Sequence, residues 1–382
     1  MNSEDIKQKF KEIYKNNPLL VRSPGRINLI GEHTDYNDGF VFPAAINKEI
    51  HFAVAKNDVN KFRFYASDLN ENFQMDVDDL AKTDTSWANY LLGVVAQYKK
   101  AGHSIKGVDC VFGGDIPMGA GLSSSAAIEN GFAVALNTLF EIGIGKTEMA
   151  QMAQKAEHEY AGVLCGIMDQ FASMHGKKGH ALKLDCRTLD FEYATIDLNG
   201  YGIILCDTKV KHELASSAYN TRREECEIGV KILQQYDATI TALRDVNLSL
   251  LEKHQEQFDA IVYKRCEFVI NENNRVEKAF KALQNNDIEA LGALMYQSHE
   301  GLRDAYEVSC KELDILAAYA KKHDAIVGSR MMGGGFGGCT INIVKQEKMA
   351  SFSEEITAYY LEKTSIKPEI YTVEIVNGTG LI

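Results

Sequence analysis

What most restricts this chain is where its backbone can turn. It holds 5 prolines against 30 glycines in 382 residues, so positions needing unusual backbone geometry have to be glycine positions. The glycines that matter gather in three segments: 23–43 (SPGRINLIGEHTDYNDGFVFP), 113–127 (GGDIPMGAGLSSSAA) and 328–339 (GSRMMGGGFGGC). Any fold has to set these three loops among ordinary elements, and each one carries or adjoins groups suited to ligand contact.

Hydrophobic periodicity supplies the elements. Ile6, Phe10, Ile13 and Tyr14 recur at helical spacing, which predicts a short amphipathic helix over 4–16. LLVRS, GFVFPAA, IHFAVA and KFRFY, between 19 and 65, read as strands. Helices are expected over 86–101, 126–140 and 147–160, with strands at 108–112, 180–186, 191–196 and 201–206. From about Glu213 to Ala318 the chain turns to long charged amphipathic helices. Strands return at 324–329 and 339–344, followed by a helix over 347–363 and a strand at 369–376. A β-rich first half and a helix-rich second half with its own sheet predict an α+β protein of two domains, about 1–185 and 186–382.

The formal charge of −12 is spread along the chain, whereas nucleic-acid binding needs a basic face, so no nucleic-acid partner is expected. An acidic chain can still hold phosphate on backbone N–H groups at a helix start. No apolar run approaches the ~20 residues of a membrane span, and residues 1–17 have no signal-peptide core, so no membrane is expected. Eight cysteines without a CxxC pair support neither zinc nor a disulfide framework; free thiols in a reducing cytoplasm fit. With no heptad seam, a monomer is the default.

The first segment packs Arg26, Asn28, Glu32, His33, Asp35 and Asn37 into a short span. Such groups can each form several hydrogen bonds, which suits a polyhydroxylated ligand such as a sugar; a polar turn between strands would use them too. Glu-His-x-Asp could ligate a metal but does not match HExxH. The second segment combines small residues with Ser123, Ser124 and Ser125 ahead of an apolar helix, a place to hold phosphate or Mg²⁺, or simply to cap the helix. It lacks the Walker lysine. In the third, Gly333, Gly335 and Gly338 satisfy GxGxxG, yet TINIV follows at once where a dinucleotide loop should open a helix. A hinge or a backbone wall against a ligand fits better. Glu157 ends a predicted helix, Asp169 follows Gly166 in an apolar context where a helix N-cap is the ordinary reading, and Tyr219 lies near a helix start.

Taken in order, the three segments resemble the galactokinase family, within the superfamily of homoserine, mevalonate and phosphomevalonate kinases. RINLIGEHTDYN (26–37) is similar to the family signature almost position for position, GAGLSSSAA (119–127) to the superfamily's ATP loop, and MMGGGFGGC (331–339) to its third motif. CGIMDQFAS (165–173) and GHALKLDC (179–186) extend the likeness, which covers about 20–375. The resemblance implies transfer of the ATP γ-phosphate to the C1 hydroxyl of galactose. It assigns Asp169 as general base with Arg26 beside it, and Glu32, His33, Thr34, Asp35 and Tyr219 as the sugar site. Gly119, Ala120, Gly121, Leu122, Ser123, Ser124 and Ser125 would cradle the ATP phosphates, Ser125 and Glu157 would hold Mg²⁺, and Ser67 is placed near the nucleotide. It also implies an S5-like N-terminal domain and a ferredoxin-like C-terminal domain, with the site in the cleft.

General chemistry agrees, because phosphoryl transfer asks for placement and charge stabilisation more than covalent work. The competing readings are a kinase of N-acetylgalactosamine or arabinose, a non-catalytic regulator that binds galactose and ATP, and, more distantly, an oxidoreductase.

Overall fold

The computed structural model describes residues 1–117, 119–211 and 215–382, with the side chains of 211, 215 and 216 outside the description. Met118 of the second segment and Glu213, the expected start of the helical region, therefore lie outside the described residues.

Helix α1 (Ser3–Tyr14) begins with a capping box: Asn2 accepts the N–H groups of Glu4 and Asp5, and Asp5 accepts that of Asn2. Strands β1 (Leu19–Asn28), β2 (Phe40–Val41), β3 (Pro43–Lys56) and β4 (Lys61–Ala66) fall in the region read as strands; β4 alternates buried and half-buried residues, whereas β1 and β3 are buried over most of their length. Strand β5 (Glu71–Asp76) is an addition; its alternation is confined to half-buried Phe73 and Met75 among exposed polar residues, too short a pattern to mark a strand in sequence. After α2 (Ser86–Lys100) and β6 (Val108–Gly114), α3 (Ser124–Leu139) starts two residues earlier than its apolar run. Helix α4 (Lys146–Ala156) ends in a π turn, Glu157–Ala161, instead of continuing as α-helix to 160. Helix α5 (Met168–His175) is too short to show a period in sequence. Strands β7 (His180–Asp185), β8 (Phe191–Thr195) and β9 (Tyr201–Lys211) complete the first half.

The helical region contains α6 (Ala215–Leu233), α7 (Leu248–Lys253), α8 (Ala260–Gln284), α9 (Ile288–Asp304) and α10 (Lys311–Lys322). It is followed by β10 (Ile326–Met331), β11 (Gly337–Lys345), α11 (Met349–Thr364), β12 (Glu369–Val373) and the short β13 (Gly380–Leu381).

Three sheets result. The order β13-β1-β3-β6-β4-β5 forms a six-stranded sheet, antiparallel except where β4 runs parallel to β6. Strands β2-β7-β8 form a second. The third is antiparallel in the order β10-β11-β9-β12, and with α11 between β11 and β12 this is the ferredoxin-like arrangement expected of the C-terminal domain. A cut at 185/186 passes through the β7–β8 hairpin, and β13 at the chain end returns to pair with β1. The two halves meet across apolar surface. Val276 and Phe280 of α8, Met295 of α9 and Met332 share one buried cluster with Leu29, Ile30 and Phe42. All eight cysteines are free, and among the described residues no helix is long and apolar enough to cross a membrane.

The chain end matters to the site through three buried hydroxyls. Thr379 Oγ1 lies 2.9 Å from Ser23 Oγ and 3.2 Å from Ser173 Oγ, joining the approach to β13 to β1 and α5. Replacing Thr379 by isosteric Val leaves Ser23 and Ser173 only each other, at 3.4 Å. The expected cost is about 1–3 kcal/mol, read as a lower urea midpoint with unchanged m. An unaltered midpoint would show that the triad does not hold the chain end.

Candidate active site

Arg26 and Asp169 are the centre of the site. Register along β1 and β3 slips between Pro24 and Arg26, a bulge that re-aims the arginine side chain. Asp169 lies in the first turn of α5, but Ile167 holds the N-cap position, so the aspartate is not spent on capping. Arg26 Nε and Nη2 each donate to one Asp169 oxygen at 2.7 Å, a two-pronged ion pair. Its Nη1 donates to the Gly121 carbonyl at 2.6 Å, and the Arg26 N–H reaches the Leu122 carbonyl at 3.2 Å. The arginine side chain is 4% exposed and the aspartate 27%, so the carboxylate is the open face of the pair.

The second segment closes on the same pair. Ser123 sits just before α3 with φ of +60° and makes no side-chain cap bond; its hydroxyl donates to Asp169 Oδ2 instead. Capping is thus not its use. Ala120 and Leu122 are buried in the core, which leaves backbone and serine groups to face outwards, with Ser124 opening the helix. Ser125 hydrogen-bonds Glu157, which the π turn carries into the site.

A cavity of about 150 Å³ is lined by Arg26, Glu32, His33, Asp35, Glu157, Asp169 and Tyr219, together with Cys165, Gly166, Met168, Gly333 and Gly334. Of the residues expected at the sugar, Thr34 is not in its wall. Thr34 is fully buried, its hydroxyl donating within its own loop to the carbonyls of Gly31 (2.9 Å) and Phe40 (2.6 Å). Ser67 lies just past β4, beside the end of β6, with its hydroxyl buried and unpartnered. A second hollow of about 110 Å³ lies between the second and third segments, lined by Gly119, Gly121, Met332 and Gly334–Gly338. The third segment is a turn joining β10 to β11, a backbone wall and not the mouth of a dinucleotide-binding helix.

The site's polar groups are largely satisfied by one another. Glu32, 2% exposed, accepts from Arg330 Nη2 (2.6 Å) and from the Gly333 N–H (2.8 Å), tying the first segment to the third. His33 places Nε2 3.2 Å from the Gly334 carbonyl and Nδ1 2.7 Å from the Tyr36 hydroxyl. A carbonyl only accepts, so Nε2 carries the proton and Tyr36 donates to Nδ1. Burial pushes the His33 pKa down to about 3, which keeps the ring neutral. Tyr36 in turn meets the Tyr306 hydroxyl at 2.8 Å, and Tyr219 packs against both rings of the His33–Tyr36 pair.

Carboxylates here resist ionisation. Asp35 is raised to about 7 by burial, then by Asp169 and Glu32; Glu157 rises to about 7 through burial and Asp169. Behind them, Gln170 Nε2 donates to both Glu157 (2.7 Å) and the fully buried Glu129 (3.1 Å). The Asp35 carboxylate occupies the space where a Cβ on Gly166 would stand, so only glycine fits at 166. Tyr36 was within reach of sequence reasoning because it lies inside the first segment. Arg330 and Gln170 likewise lie inside segments 328–339 and 165–173, but their carboxylate partners are not legible there, and Glu129 looks like an ordinary helix residue until the fold brings it to Gln170.

Known proteins share this arrangement. The family profile "Galactokinase galactose-binding signature" matches residues 8–56, "GHMP kinases N terminal domain" matches 89–177 and "GHMP kinases C terminal" matches 279–361. A galactokinase of Thermosipho africanus is 43% identical over 364 residues, covering 95% of this chain and all of that protein. One from Clostridium acetobutylicum is 42% identical over 387 aligned positions, covering 100% of this chain and 98% of that protein. The crystal structure of Lactococcus lactis galactokinase complexed with galactose superposes with a TM-score of 0.96 at 35% identity, covering 99% of both chains.

The raised Asp35 pKa has a stability consequence. An acid that holds its proton to about pH 7 when folded, but releases it near 4 when unfolded, favours the folded state less as pH rises between those values. Above pH 7 the cost is complete. Asp35→Asn removes it, so the ligand-free variant should melt a few degrees higher than the parent at pH 8, with no gain at pH 4. Equal melting at pH 8 would mean that the buried carboxylate carries no such cost.

Proposed function

The chain belongs to the galactokinase family, and on that premise we propose that its cavity takes galactose and transfers the γ-phosphoryl group of ATP to the sugar's C1 hydroxyl, giving galactose 1-phosphate. The observation that carries this reading is the Arg26–Asp169 fork, which joins the first and second segments at the open face of the cavity.

Asp169 presents an ion-paired carboxylate to the C1 hydroxyl. As the sugar oxygen bonds to the γ-phosphorus and the bond to the bridging oxygen breaks, the hydroxyl proton passes to Asp169. Arg26 holds that carboxylate in place. Its bonds to Asp169 and Gly121 use three of its N–H groups, leaving two of a guanidinium's five donors for charge developing on the phosphoryl oxygens. Backbone N–H groups of 119–125 and the start of α3 supply an anion site for the ATP phosphates. Gly333 and Gly334 of the third segment wall the sugar cavity, while neighbouring glycines face the hollow beside the second segment.

The sugar-contacting groups differ in kind. Asp35, with a pKa near 7, can both donate and accept. Glu32 has Oε1 engaged by Arg330 and Gly333, which orients its second oxygen. His33 has both ring nitrogens engaged, so it contributes shape, and Thr34 acts through the loop it braces. An epimer would leave such buried groups unpaired, the physical source of discrimination among hexoses.

Mg²⁺ fits the donor set. Ser125 and Glu157 offer hard oxygen ligands, and the neighbouring Asp169 makes Glu157 reluctant to carry its charge without a cation. Among the described residues no cluster of three or more His, Cys, Asp or Glu side chains forms a closed cage. That suits an ion held by one or two protein ligands and the substrate phosphates. When bound, Mg²⁺ would supply charge neutralisation on the transferring phosphates.

Two experiments test the reading. Purified protein with ATP and a panel of sugars, with Mg²⁺ or with EDTA, should form ADP and sugar phosphate with galactose and lose turnover in EDTA. Turnover confined to N-acetylgalactosamine or arabinose overturns the substrate, and saturable galactose and ATP binding without turnover leaves a binding regulator. Asp169→Asn should keep galactose binding within a fewfold while kcat falls by about two to four orders of magnitude, the range of a positioned acid–base group. Near-parental kcat would remove Asp169 from the chemistry.

A further inference from the structure

The loop that carries His33 and Asp35 is held at both ends by a helix of the other domain. Within the loop, Thr34 is braced on Gly31 and Phe40 and Asn37 Nδ2 donates to the His33 carbonyl at 3.0 Å, while Glu32 and His33 also reach the third segment and Tyr36 reaches Tyr306. At its ends the loop donates outwards. The Gly31 N–H reaches Glu272 Oε1 at 2.9 Å, and the Phe40 N–H reaches Asn273 Oδ1 at 2.9 Å. These acceptors are consecutive residues of α8, in the C-terminal domain.

The approach is close enough to dictate sequence in the loop. Gly31 has φ of +99°, and a Cβ there would stand 2.8 Å from Val276 Cγ2, one turn further along α8. A Cβ on Gly39 would overlap Asn273 Oδ1. Glu272 is fully buried and is itself fixed: Oε1 also accepts from Ser298 Oγ at 2.7 Å, and Oε2 accepts from Arg275 Nε at 2.6 Å. Among the described residues, neither Glu272 nor Asn273 hydrogen-bonds any residue of 119–125.

We propose that Glu272 and Asn273 are positioning residues for the sugar loop, a two-residue clamp through which α8 sets where Asp35 and His33 stand in the cavity. The inference rests on the galactose reading of that cavity. It makes the affinity for sugar, and not for ATP, depend on α8, because the clamp holds the first segment and leaves the second untouched. An unpaired amide at Phe40 would let the loop end relax, and Asp35 is only five residues away.

The test uses the full chain with Asn273→Leu, which keeps volume but removes the acceptor, Asn273→Asp, which keeps an acceptor, and Glu272→Gln at the other end. For Asn273→Leu, galactose KM should rise about tenfold, the scale of one lost buried hydrogen bond, while ATP KM and kcat stay within about twofold. Asn273→Asp should return galactose KM to within about threefold of the parent. Glu272→Gln should raise galactose KM severalfold and, with Asn273→Leu, should speed amide exchange in the peptide spanning 29–42. If Asn273→Leu does not fold, Glu272→Gln and the exchange measurement decide. Unchanged galactose KM with unchanged exchange overturns the clamp. So does an ATP KM that rises by the same factor as galactose KM, which would mean a general loss of structure. A parent protein that does not phosphorylate galactose overturns the reading of the cavity instead; the exchange measurement then still decides whether the clamp holds the loop.

Discussion

A buried arginine has to satisfy its donors inside the protein, and in this molecule that requirement organises the site. Arg26 can be buried because Asp169 takes two of its prongs and the Gly121 carbonyl a third. Those partners come from α5 and from the loop before α3, far apart in sequence. One guanidinium therefore fixes a carboxylate, the glycine–serine loop before α3 and the bulged end of β1 relative to one another. Leaving a buried charge unpaired is costly enough that none of the three can drift alone.

A second buried arginine repeats the logic on the opposite wall. Arg330 has no exposed surface and spends its donors on the carbonyls of Asn28, Leu29 and Met331 and on Glu32. Glu32 then reaches the Gly333 N–H, so the glycine turn is held by a side chain of the first segment. Each arginine holds one cavity-lining carboxylate, Asp169 or Glu32, and the two carboxylates they do not neutralise, Asp35 and Glu157, are left with raised pKa values. Groups that are expensive to ionise thus line the cavity. This is the usual exchange of stability for function at a binding site.

Much of the site could be read from residue type and order. Arg26, Glu32, His33, Asp35, Glu157, Asp169 and Tyr219 were each picked out in the sequence and converge on one cavity. Thr34 shows where the transfer from motif to contact loosens: a short polar side chain beside a site can equally satisfy its own loop. The elements most poorly marked were β5, α5 and β13. A six-residue edge strand with only Phe73 and Met75 facing the core shows too short an alternation, an eight-residue helix spans barely two turns, and a two-residue strand exists only because another strand is there to pair with it.

By itself, the sequence determined the fold class, the positions of the three glycine loops and the residue types able to do phosphoryl transfer. Those follow from local rules: apolar period, glycine's conformational freedom, and the donors and acceptors each side chain owns. Only the tertiary structure decided which groups pair. It turned Ser123 from a helix cap into a partner of Asp169, tied Glu32 to Arg330, and brought Glu272 and Asn273 of α8 to the ends of the loop that carries His33 and Asp35. Pairing of this kind depends on distances between residues from 46 to more than two hundred positions apart, which no local pattern encodes and which arise as the elements bury their common apolar faces.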